Sequence, residues 1–148
     1  MKKIVSILAL VGLVLALAVA CTTTQDASSK KKDTPLINTR WGLLSLNGKE
    51  IDKSKARKEI HIILRLNSNR FEGYAGCNGI GGLYEQSIDG TINFSGIIST
   101  MMACEAMEIE TQFTQALESA TTYKISKDEL TLYTNGKEVA KLYAVYLR

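Results

Sequence analysis

The chain has 148 residues, enough for one well-cored domain and too few for two. Its formal charge is +3; setting aside Lys2 and Lys3 with the first 20 residues leaves 16 basic against 15 acidic side chains, too even a balance for a nucleic-acid binder. An apolar content of 45% excludes a disordered chain, and one histidine with three cysteines leaves few ligands for a metal centre.

Met1-Lys2-Lys3 is a short cationic start, and Ile4 to Ala20 follow without a charge. Those 17 residues are long for a secretory apolar region and short for a membrane span of about 20. The end of the run is more telling. Leu17-Ala18-Val19-Ala20-Cys21 resembles a bacterial lipobox, in which small residues give a peptidase access to the backbone and the cysteine thiol forms a thioether to lipid. Ala18 stands where that motif usually has Leu. Residues 1–20 are therefore read as a lipoprotein signal peptide and Cys21 as the lipidation site; a signal peptide cut after Ala20, or an uncleaved anchor, is the other reading. Several acyl chains on Cys21 would hold the chain to a membrane stably, whereas one alone binds marginally. Thr22 follows where Asp often marks inner-membrane retention, which favours the outer membrane, facing the periplasm, in a Gram-negative cell. The expected location is the cell envelope, lipid-anchored and outside the cytoplasm.

Thr22 to Pro35 contains no apolar residue but Ala27 and cannot bury enough surface to order itself. Residues 21–37 are read as a flexible tether of roughly 20 Å reach, with Pro35 marking the domain edge and the folded unit spanning 38–148. Lys30-Lys31-Lys32 extends the tether as a solvated run, or touches anionic head groups at about 1 kcal/mol per lysine.

Beyond the tether the sequence alternates with period two. Trp41 to Leu46 is the first strand, ending at the Asn47-Gly48 turn. Ile60, Ile62, Leu64 and Leu66 share one face of the next, with Glu59, His61, Ile63 and Arg65 on the other. After Asn67-Ser68-Asn69, Arg70 to Ala75 returns as a strand. Ile92 and Phe94 alternate after the Asp89-Gly90 turn, and Tyr123 and Ile125 pair across Lys127-Asp128 with Leu130 and Leu132. Asn135-Gly136 is the strongest hairpin signal, since both residues tolerate the positive φ of a type I′ turn. Val139 to Leu147 forms the last strand, apolar enough to be central or closing.

One segment has helical period instead: Met102, Ala106, Ile109, Phe113, Ala116, Leu117 and Ala120 make a single stripe, with Glu105 and Glu108 near its start where the helix dipole favours negative charge. The fold class expected is α+β and β-rich. Its sheet is antiparallel, of about 7–8 strands, and strongly curved or closed into an incomplete barrel to hide its edges, with one covering helix.

Gly73 to Tyr84 holds five of the eleven glycines. It is not a phosphate loop, because no Lys-Ser/Thr follows and no helix begins at the last glycine. Glycines at Gly73, Gly76, Gly79 and Gly82 fit sharp strand bends and close backbone approach. With Cys21 committed to lipid, Cys77 and Cys104 remain as an even pair in an oxidising compartment. A bridge between them would close a loop of about 27 residues and add roughly 3.5 kcal/mol. Two buried thiols, a metal site or a nucleophile are the competing readings. A cysteine nucleophile would need His61 as base, yet His61 lies mid-strand as a surface residue; His61, Cys77 and Cys104 are also one ligand short of a structural zinc.

Trp41-Gly42-Leu43, then Gly73-Tyr74-Ala75-Gly76-Cys77-Asn78 with Gly82 and Tyr84, then Ser99-Thr100-Met101-Met102-Ala103-Cys104, followed by Glu110, Phe113 and Leu117, and finally Leu130 with Leu132, together resemble the META domain family, the family of HslJ-like heat-inducible bacterial lipoproteins. Met101 stands where the family usually has Arg or Thr. The resemblance implies a small barrel-like envelope domain with links to heat or antibiotic stress, supports proximity of Cys77 and Cys104, and transfers no catalytic residue, no cofactor and no metal site.

The function expected is a non-enzymatic, membrane-anchored envelope module for stress-related binding or stability, meeting an envelope protein or lipid and no nucleic acid. A carrier of lipid or another hydrophobic ligand, or a pilot for outer-membrane assembly, is the alternative. A hydrolase inhibitor is a third reading, with Asp52 to Arg57 as its one charged loop.

Overall fold

The computed structural model describes residues 32–146, so the signal-peptide, Cys21 and Lys30–Lys31 readings, and Leu147, lie outside the described residues. Among the described residues there are nine strands and one α-helix. The strands are β1 (Arg40–Leu46), β2 (Lys49–Glu50), β3 (His61–Leu64), β4 (Arg70–Tyr74), β5 (Gly79–Gln86) and β6 (Ile92–Ser99), then helix α1 (Met107–Ser119), then β7 (Thr122–Ser126), β8 (Glu129–Thr134) and β9 (Lys137–Val145). A single 3₁₀ turn, Lys53–Lys55, interrupts the β2–β3 connection.

All the strand pairings are antiparallel, in the order β6-β5-β4-β3-β1-β9-β8-β7, with β2 a short flap on β1. The two outer strands meet at one end only: Ile92 N–H donates to Thr121 O at 3.0 Å and Tyr123 N–H to Gly90 O at 2.8 Å. The sheet is therefore the incomplete barrel expected. Bulges at Leu43/Ser45, Gly81/Leu83 and Leu132/Tyr133 provide the local bending that closure demands. Close strand approach needs the missing side chain at two glycines. A Cβ on Gly73 would lie 2.1 Å from His61 O, and one on Gly82 2.8 Å from both the Phe71 ring and Ser95 O.

Inward-facing positions fill the barrel with Trp41, Ile62, Leu64, Phe71, Phe94, Leu130, Leu132 and Leu142, and Phe71 meets Phe94 edge-on at 5.2 Å. Helix α1 adds fully buried Phe113 and Leu117 and nearly buried Ala116 to this core. Burial contributes about 2 kcal/mol for each large side chain, which is why the period-two pattern dictates which face turns in. β9 lies between β1 and β8, the central position its apolar character suggests.

Four details differ from the sequence expectation. The fold begins earlier than 38: Thr34 and Leu36 are buried, Thr34 N–H donates to Lys127 O, and Trp41 Nε1 donates to Leu36 O at 2.9 Å. Residues 34–37 thus belong to the domain, with Ile37 bridged to Leu64, because the buried indole needs an acceptor and the Leu36 carbonyl supplies it. Thr34 Oγ1 also donates to Asp128 Oδ1 and lies 2.8 Å from the hydroxyl of Tyr146, so the two ends of the described chain adjoin. Leu66 lies past the end of β3 and is exposed. Helix α1 starts at Met107, leaving Met102 in the preceding loop and exposed. His61 is half-buried rather than on the surface, because a polar cluster forms around it.

Candidate functional site

The loop between β4 and β5 folds back on itself, with Ala75 N–H donating to Asn78 O at 2.9 Å. Gly76 has φ +143, and a Cβ there would meet Ala106 at 3.1 Å, so the loop lies flush against the start of α1. Cys77 is bonded to Cys104, which joins this loop to the segment between β6 and α1. Of the readings left open for the two thiols, the disulfide is the one present. Two of the three potential metal ligands are thereby consumed.

Asn78 is 2% exposed and all of its side-chain hydrogen-bonding capacity is used. Its Oδ1 accepts from Met102 N–H at 2.7 Å and from Thr100 Oγ1 at 2.8 Å, while Nδ2 donates to Met102 O at 2.9 Å. The carboxamide thus pairs with the Met102 backbone as a neighbouring strand would. The remaining contact is to Glu110, buried in the first turns of α1. Glu110 Oε2 accepts from the backbone N–H groups of Cys77 (2.9 Å) and Asn78 (2.8 Å), and Oε1 accepts from Asn78 Nδ2 at 2.7 Å. The β4–β5 loop is therefore held covalently to the segment before α1 and, through the buried carboxylate, to α1 itself.

Of the sequence-predicted residues, Gly76, Cys77, Asn78, Thr100, Met102 and Cys104 come together here. Trp41, Gly73, Gly82 and Tyr84 do not; they serve the barrel, and Tyr84 OH donates to Arg65 O at 3.0 Å to pin the β3–β4 turn. Glu110, singled out by family resemblance alone, is the organising residue. Its signal was a glutamate in phase with Phe113 and Leu117, on the stripe that should be apolar.

Beside this frame lies an exposed apolar surface. Met101 is fully exposed, Ile98 68%, Met102 50% and Met107 40%. These come from the end of β6, the bridged loop and the start of α1.

A second cluster, which sequence reasoning missed, lies on the outer face of the barrel where β1, β3 and β9 adjoin. Tyr143 lies across Gly42, where a Cβ would come 2.6 Å from the ring. The Tyr143 hydroxyl donates to Glu59 Oε1 at 2.7 Å, and Arg40 Nε donates to Glu59 Oε2 at 2.9 Å. His61 Nδ1 is 2.9 Å from Glu59 O and 3.2 Å from Arg40 Nη2. Burial raises the Glu59 pKa, but the bonds from Tyr143 and Arg40 outweigh it and hold the carboxyl below its ordinary value. Burial lowers His61, with the Arg40 charge adding to the effect. The bond to Glu59, then burial, raises Tyr143.

The folded state binds protons at His61 and Glu59 less readily than the unfolded chain. Stability is therefore full above the ordinary histidine value of 6.5 and declines as pH falls through it, with a further loss below the ordinary glutamate range of about 4.3. Urea midpoints should decrease from pH 7.5 to pH 5, and His61→Gln should flatten that slope; an unchanged slope would remove His61 from the account.

The fold and the bridged loop define a class: a small disulfide-bonded β-barrel domain closed by one helix. The META domain family matches residues 34–145, and the chain belongs to that family. No curated protein matches the sequence significantly. Among solved structures, one from Burkholderia xenovorans is similar over 87% of this chain and all of its own, at 16% identity and TM-score 0.62. A DUF4847 family protein from Bacteroides vulgatus is similar over 74% of this chain and 93% of its own, at 16% identity and TM-score 0.57. A further protein structure, determined by NMR, is 22% identical over 73% of this chain and 91% of its own, with TM-score 0.56. At these identities the likeness is one of fold.

Proposed function

We propose that this META domain protein is a non-enzymatic, lipid-anchored module of the bacterial envelope that binds a protein partner under stress. The observation that carries the reading is the exposed surface of Ile98, Met101, Met102 and Met107 beside the frame made by Cys77–Cys104 and Glu110. Methionine is flexible and polarizable, suited to an adaptable contact, and apolar patches of this kind mark interaction sites. The lipobox-like run ending at Cys21 supports the anchor. Cys77 and Cys104, the thiols a nucleophilic mechanism would need, are oxidised to a disulfide, and His61 is engaged by Arg40 and Glu59.

Two measurements test this. Palmitate labelling in cells should mark the wild-type chain and not Cys21→Ser. A photo-crosslinking residue at Met101 should capture a defined partner, more after heat shock, whereas one at the exposed Ile88 should not. Equal capture from both positions would sink the assignment of the surface, and absence of acyl mass on Cys21 the assignment of the anchor.

A further inference from the structure

The segment from Ile51 to Ile60, with Leu43 and Tyr143, borders a cavity of about 370 Å³. Its apolar lining comes from Leu43, Ile51, Ala56 and Ile60, together with the ring of Tyr143 lying over Gly42. Its rim carries Lys53, Arg57 and Lys58. Lys53 Nζ is 4.8 Å from the centroid of the Tyr143 ring, and Lys58 Nζ is 5.9 Å from that of Tyr74, so both ammonium groups are oriented by aromatic faces.

Nothing nearby neutralises this rim fully. Glu59 is the carboxylate among the lining residues, and its two oxygens already hold Tyr143 and Arg40. Asp52, on the same segment, accepts from the N–H and the hydroxyl of Ser54. Among the described residues, Lys53, Arg57 and Lys58 form no ion pair. An apolar floor under three unpaired cations suits one ligand chemistry: a negative head on an apolar body.

We propose that this cavity binds a small amphiphilic anion, an organic carboxylate or phosphate with a hydrophobic moiety. The apolar part occupies the floor between Ile51 and Tyr143, and the head meets Lys53, Arg57 and Lys58. The interior of the barrel is filled by core side chains, of which Leu43 and Ile60 border the cavity, so such a ligand sits against the core rather than within it. This site is separate from the methionine surface and does not depend on the anchor.

The test uses full-length protein in phosphatidylcholine nanodiscs, titrated calorimetrically with 4-butylbenzoate, its neutral amide and inorganic phosphate. The benzoate should bind saturably, and the amide and phosphate each at least tenfold more weakly. Lys53→Ala/Arg57→Ala, both exposed residues, should reduce benzoate affinity about tenfold with an unchanged urea midpoint. Ala56→Leu should weaken it similarly by narrowing the floor without altering charge. Equal affinity for benzoate and amide, or for benzoate and phosphate, would overturn the proposal, as would variants that bind like the wild type.

Discussion

Glu110→Ala is expected to lower unfolding free energy by about 4 kcal/mol, because two buried backbone N–H groups and the Asn78 amide lose their acceptor at once. Each orphaned donor costs roughly 1–3 kcal/mol, and the removed side chain leaves a void against the Gly76–Asn78 loop. Glu110→Gln keeps one carbonyl oxygen and should cost about half as much. Urea unfolding at neutral pH gives both values. A loss below about 1 kcal/mol for the alanine variant would mean that water replaces the carboxylate and that the loop does not need it.

Removing the disulfide with Cys77→Ala/Cys104→Ala should cost about 3.5 kcal/mol, the chain-entropy value for a sequence separation of 27, and lower Tm by roughly 15 °C. Glu110 and the bridge both restrain the Cys77–Asn78 loop, so their effects are not additive. In the bridgeless protein Glu110→Ala should cost less than in the oxidised one. A double-mutant cycle measures this, and additivity within about 0.5 kcal/mol would show two independent fasteners.

Much of the architecture was legible because alternation reports which face is buried. β3 and β4 follow it closely, β8 and β9 do so apart from the consecutive buried residues Leu130–Leu132 and Val139–Ala140, and the Asn47-Gly48 and Asn135-Gly136 turns carry the positive φ values their chemistry suggests. β5 was hidden: Gly79, Gly81 and Gly82 remove the side chains that would display a period, and its strand character comes from pairing with β4 and β6. β2 is two residues long and has no pattern to read. The domain edge was misplaced because Thr34-Pro35 looks like linker, whereas the indole of Trp41 requires the Leu36 carbonyl.

The candidate sites divide in the same way. Cys77 and Cys104 could be paired by counting and by motif. The role of Glu110 depends on donors 32 and 33 residues distant, which no local period reveals. The cluster of Arg40, Glu59, His61 and Tyr143 joins β1, β9 and the start of β3, and becomes visible only once the register places Gly42 beside both Tyr143 and His61.

The adjoining chain ends have an orientational consequence. Thr34 lies against Tyr146, and Ile37 meets Leu64 at the end of β3 from which the β3–β4 turn departs. β4 then runs away from that corner for five residues, roughly 17 Å, before the Cys77 loop begins. The adjoining ends of the described chain and the methionine surface therefore lie at opposite ends of the domain, so a fusion at the C-terminus leaves the methionines uncovered.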